Sequence, residues 1–103
     1  MQAVFEAAES TNLFAASGVG GIKVRLNPYR HYLNVDSHEY FVHVFVNIME
    51  GRDQDQKKRL SEKVVRSISE LLPTVEIISI NIRDFEKASY FNKTLLEDGN
   101  NSL

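Results

Sequence analysis

Arg52 is the residue whose setting most clearly offers chemistry. The stretch His38 to Gln56 reads HEYFVHVFVNIMEGRDQDQ: a long apolar strand ending at Met49, a Glu50-Gly51 turn, and Arg52 just ahead of a helix. A cation at a strand-to-helix junction, where the first backbone N–H groups of the helix point outward, forms an anion-binding corner. The competing reading is a salt bridge to Asp53 or Asp55, or plain solvation; those carboxylates already complement the positive end of the helix. Lys23 and Arg25 are a second pair of cations, on one face of a strand whose other face carries Ile22, Val24 and Leu26. A bidentate grip on a carboxylate favours Arg over Lys, and on pattern alone the pair reads as a solvated face.

The remaining reactive side chains carry less. His43 lies mid-strand between Phe41 and Phe45 and reads as a hydrogen-bonded core or interface histidine, with a pH-sensitive role as the alternative. His31 and His38 are separated by a turn, and no carboxylate at ligand spacing completes a metal site. Absence of cysteine excludes disulfides, thiolate catalysis and Cys-ligated metal. No Ser-His-Asp order, phosphate loop or dinucleotide fingerprint is found. Lys57-Lys58-Arg59 is too short for a nucleic-acid patch and reads as a solvated helix face. The sequons at Asn92 and Asn100 read as chance matches.

The elements that must position these residues follow from periodicity. The chain has 103 residues, 43% of them hydrophobic and 25% charged, as in one globular domain. Its net charge of −2 argues against nucleic acid. No apolar run approaches the ~20 residues that cross a bilayer, no signal peptide is visible, and a cytoplasmic location is expected.

Residues 3–16 are predicted helical, with Val4, Ala7, Ala8, Phe14 and Ala15 on one face and Ser17-Gly18 as a stop. A loop at 18–21 leads into a half-buried strand at 21–27, which Asn27-Pro28 interrupts; Asn34 to Ser37 reads as a turn. A strand at 39–49 is apolar on both faces and so should be covered on both. A helix follows, capped by Asp53 with Gln56 completing a capping box. Its stripe is Leu60, Val64, Val65, Ile68, Leu71 and Leu72, and Leu72-Pro73 ends it. A strand at 75–83 and a short helix at 87–96 complete a domain of residues 1–96, followed by a mobile tail at 97–103.

Taken together, Ala15-Ala16-Ser17-Gly18, Gly21-Ile22-Lys23-Val24-Arg25, His38-Glu39-Tyr40-Phe41-Val42-His43, Gly51-Arg52 and the helix after it are similar to 5-carboxymethyl-2-hydroxymuconate isomerase, a family of the tautomerase superfamily. The Ile78-to-Ile82 strand and Phe91-Asn92-Lys93 are weaker matches. The resemblance implies an α+β fold of two βαβ units, with helices on one face of the sheet and the partners of a homotrimer on the other. It also implies proton transfer between carbons of an unsaturated keto acid, with no cofactor or metal. Lys23, Arg25 and Arg52 fall where the family binds substrate carboxylates. The family's base is an N-terminal proline, whose amine titrates near ~8 and suits proton transfer close to neutrality, while cations stabilise the enolate-like charge.

One departure bears on catalysis. The chain starts Met1-Gln2, and Pro28 and Pro73 are internal. The expected order is helix, strand, strand, helix, strand, short helix, in which the first βαβ unit lacks the opening strand that would carry the proline. No residue of the chain is therefore assigned as catalytic. A natural start upstream of Met1 is expected in preference to a relative that has lost its activity. Two rival readings are a non-catalytic oligomeric scaffold on the same fold and a ferredoxin-like module that binds a small molecule.

Overall fold

The computed structural model describes residues 1–14, 22–33, 40–93 and 95–96. The predicted helix stop at Ser17-Gly18, the loop at 18–21, the turn at 34–37 and the tail at 97–103 lie outside the described residues.

A parallel βαβ unit forms the centre. Strand β1 (Phe41–Met49) leads through helix α2 (Gln54–Leu71) to strand β2 (Ile77–Phe85), which pairs with β1 in parallel register from Phe41 opposite Ile77 to Met49 opposite Phe85. The ladder runs one bond further, Glu50 N–H donating to the Phe85 carbonyl at 3.0 Å. Both strands start two residues later than their apolar patterns do. Helix α1 (Gln2–Glu9) packs against α2. The chain is thus a small α+β fold with one complete βαβ unit and a helix before it.

The core lies between the helices and one face of the sheet. Ala7 and Ala8 of α1 meet Leu60, Val64 and Ile68 of α2, and the inward residues Val42, Val44, Val46, Ile78, Ile80 and Ile82 pack against them. Leu60 and Val64 are each only 1% exposed. The predicted stripe of α2 ends earlier than its sequence implies: Leu71 and Leu72 are exposed, and the last buried position of the helix is Ile68.

Both ends of α2 follow the predicted chemistry. The Asp53 carboxylate accepts from Gln56 N–H at 2.8 Å, and the Gln56 carboxamide oxygen accepts from Asp53 N–H at 3.0 Å. This capping box satisfies two donors that the first turn would otherwise leave unpaired. At the other end Leu72 leaves helical geometry immediately before Pro73.

Helix α1 is shorter than the predicted 3–16. The hydroxyls of Ser10 and Thr11 donate to the carbonyls of Ala7 and Ala8, each at 2.7 Å. Asn12 then adopts φ +58°, a left-handed conformation that Asn tolerates better than most residues. Ser and Thr compete with the backbone ladder in this way. Phe14 still reaches the core, but from beyond the helix.

The predicted strand at 21–27 is not formed among the described residues. Ile22 and Val24 are half-buried and Lys23 and Arg25 exposed, so the alternation persists, but Leu26 is exposed. The described sheet contains β1 and β2 alone, and an extended segment without a ladder partner is not a strand. The short helix at 87–96 is likewise divided. A 3₁₀ turn at Lys87–Ser89 is followed by extended backbone at Tyr90, and a separate turn opens at Asn92, whose carbonyl accepts from Leu96 N–H.

Candidate functional site

The corner between β1 and α2 is built as a tight turn. Gly51 sits at φ +120°, a conformation that disfavours any residue with a Cβ. The turn sets Arg52 between the end of β1 and the cap of α2. Its side chain is half-buried and held from three sides. One terminal nitrogen donates to the Met49 carbonyl at 3.0 Å, the other to the Leu13 carbonyl at 2.8 Å. The guanidinium carbon lies 5.0 Å from the centre of the Phe14 ring.

These bonds use two of the five N–H donors that a guanidinium carries, and the rest have no partner among the described residues. Asp53 is committed to its capping box and Asp55 occupies the first turn of α2. Neither forms an ion pair with Arg52 among the described residues. The capacity of the corner for an anion therefore rests on the guanidinium more than on the helix N–H groups.

Two further cations of α2 reach the same end of α1. Arg59 donates to the Thr11 carbonyl at 2.6 Å and Lys63 to the Ser10 hydroxyl at 3.3 Å. With Arg52, which holds the Leu13 carbonyl, they satisfy backbone and hydroxyl groups of the segment that follows α1. Lys57 pairs with Asp84 at 3.0 Å. The run Lys57-Lys58-Arg59 is thus not simply solvated: two of its three cations tie α2 to its neighbours.

Lys23 and Arg25 lie on the exposed side of the segment whose Ile22 packs on the core. Neither has a hydrogen bond or ion pair among the described residues, and none links them to Arg52. Two shallow depressions flank α2, of about 470 and 490 Å³, the first lined in part by Val65, Arg66 and Ile80 and the second by Ala3, Ser67 and Leu71. Neither of these two depressions contains Lys23, Arg25 or Arg52.

The sheet face turned away from the helices carries a second cluster that the sequence pattern did not single out. His43 Nε2 lies 2.7 Å from Asn81 Oδ1, and the Ser79 hydroxyl 2.8 Å from His43 Nδ1. An amide oxygen only accepts, so Nε2 carries a proton that it donates to Asn81, while Nδ1 pairs with the Ser79 hydroxyl. The Phe45 ring lies 4.4 Å from the His43 ring, and the Arg83 guanidinium 5.5 Å from Phe45. His43 is hydrogen-bonded as its sequence context implies, but on an exposed face and not in the core. The available signal was the register of two strands, which places Ser79 opposite His43 and Asn81 two residues on.

No helix among the described residues is long and apolar enough to cross a membrane. The family model described as 5-carboxymethyl-2-hydroxymuconate isomerase matches residues 1–97. No curated protein and no solved structure matches the chain. With nearly its whole length matched, the chain belongs to the 5-carboxymethyl-2-hydroxymuconate isomerase family.

Proposed function

We propose that the chain binds the carboxylates of an unsaturated keto or enol acid and serves cofactor-free enol–keto isomerisation in the breakdown of aromatic compounds. The observation that carries this reading is the family match over residues 1–97. Arg52 is the principal carboxylate ligand, with Lys23 and Arg25 as further cations. The half-buried setting of Arg52 supports its role, since a guanidinium partly removed from water binds an anion more strongly than an exposed one. The working form is a cytoplasmic homotrimer in which the open sheet face is covered by neighbouring copies and the three cations approach a pocket shared between subunits.

The base of such a reaction is not assigned to any residue of this chain. In the family it is an N-terminal proline amine, whereas Pro28 and Pro73 have acylated nitrogens without a basic lone pair. The chain as it stands should therefore turn over little or no substrate. The deciding experiment compares it with a version extended at its amino terminus by a strand opening on proline. Both are assayed on 2-hydroxymuconate-type and phenylenolpyruvate-type enols. Turnover gained by the extended protein supports the isomerase; an extended protein that folds, assembles and stays inactive on both classes defeats it.

A second reading is a non-catalytic oligomeric scaffold, favoured by the exposed Phe41 and Phe45 on the open face. It is distinguished by trimer formation without turnover in the extended protein.

A further inference from the structure

We infer that Phe14 is a positioning residue for Arg52: its ring, with the carbonyls of Leu13 and Met49, fixes the guanidinium in a carboxylate-ready orientation before any ligand arrives. The consequence for ligand binding rests on the carboxylate role proposed for Arg52.

Three contacts that differ in kind define the orientation. The Met49 carbonyl holds one terminal nitrogen from the end of β1, and the Leu13 carbonyl holds the other from across the chain. The Phe14 ring covers the guanidinium at 5.0 Å, so the ligand must come from elsewhere. An arginine side chain gives up much rotamer freedom when it is fixed. Here that loss is incurred largely on folding, and a ligand that uses the remaining N–H groups incurs less of it.

The segment that carries Phe14 is itself pinned. Thr11, 1% exposed, donates its hydroxyl to the Ala8 carbonyl at 2.7 Å. Arg59 holds the Thr11 carbonyl at 2.6 Å, and Leu13 N–H reaches the Thr11 hydroxyl at 3.4 Å. Leu13 and Phe14 both pack against the core. A planar carboxylate, which takes two parallel N–H donors in the guanidinium plane, is the ligand class such a fixed fork suits.

The test combines two readouts on the full chain. NMR of the Arg52 side chain reports guanidinium rotation: separate terminal-nitrogen resonances are expected in the wild type, merging in Phe14→Leu and restored in Phe14→Tyr. Calorimetry with cis,cis-muconate, a planar unsaturated dicarboxylate, should show binding weakened about two- to fivefold in Phe14→Leu, the range expected for loss of one cation–π contact, and recovered in Phe14→Tyr. Leucine keeps the apolar packing, and an unchanged melting temperature separates positioning from loss of fold. Phe14→Leu with unaltered Arg52 resonances and unaltered muconate affinity overturns the inference. Resonances that depend on Phe14 in a protein that does not bind muconate defeat the carboxylate reading of Arg52, while the positioning of its side chain stands.

Discussion

His43 and Asn81 are joined at 2.7 Å across the two strands, although they are not directly opposite one another. The residue opposite His43 is Ser79, and it takes the other ring nitrogen at 2.8 Å. One imidazole thus spans two positions of β2 and ties both to β1 on the face that the helices leave open.

That bridge should be cooperative. Replacing His43 by Ala, Asn81 by Ala, and both together forms a double-mutant cycle read by urea denaturation. A net hydrogen bond contributes about 0.5–1.5 kcal/mol, and the exposed setting puts the expected coupling toward the lower end of that range. Additive losses in the cycle would mean that the pair is only a geometric coincidence of the strand register.

The capping box of α2 makes a separate prediction. Asp53→Ala removes the acceptor for Gln56 N–H and should cost about 1 kcal/mol. Asp53→Asn, which retains a side-chain acceptor, should recover most of that loss. The check is the thermal midpoint of all three proteins at one pH and salt concentration. A cap that matters only through its charge near the helix N-terminus would leave Asn as poor as Ala.

The core makes a larger one. Leu60 is 1% exposed and lies in the cluster that α1, α2 and the sheet share, so Leu60→Ala should destabilise by about 2–5 kcal/mol, the range for large-to-small changes in buried sites. Leu71→Ala, on the same helix but exposed, should cost well under half of that. Chemical denaturation of the two variants distinguishes a stripe that ends at Ile68 from the longer one implied by helical spacing alone.

The contrast between these two leucines shows how far the sequence could be read. Helix α2, its cap, its stop at Pro73 and the inward residues of both strands are local or periodic features, and periodicity reports them because each is decided within a few turns or pleats. The failures share a cause. Helix α1 stops early because Ser10 and Thr11 take carbonyls that the ladder would need, a competition that the apolar spacing of Val4, Ala7 and Phe14 does not register. The segment 22–27 has part of a strand's alternation but no ladder partner among the described residues, and pairing is a tertiary property. At the site, Arg52 was legible from the Gly51 turn and the helix that follows. Its contacts to Leu13 and Phe14 were not, since they cross 39 and 38 positions of chain.

The open face supplies the last prediction. Among the described residues the helices cover one face of the two parallel strands, and on the other Phe45 is 61% exposed beside His43 and the Arg83 side chain. Parallel sheets are covered on both faces in nearly all folds, and the homotrimer proposed above provides that cover. Phe45→Asp introduces a charge at the centre of this face without touching the core on the other side of β1. Even with Arg83 5.5 Å from the ring it replaces, burying that charge between subunits costs more in desolvation than the ion pair returns. Sedimentation equilibrium should therefore show a trimer for the wild type and a folded monomer for Phe45→Asp, with helical circular dichroism preserved. Arg83→Gln should weaken association less, because it removes a charge from the face. If the wild type is itself monomeric at concentrations of tens of micromolar, the trimer is wrong and the open face belongs to a different partner; if Phe45→Asp remains trimeric, subunits meet through another surface.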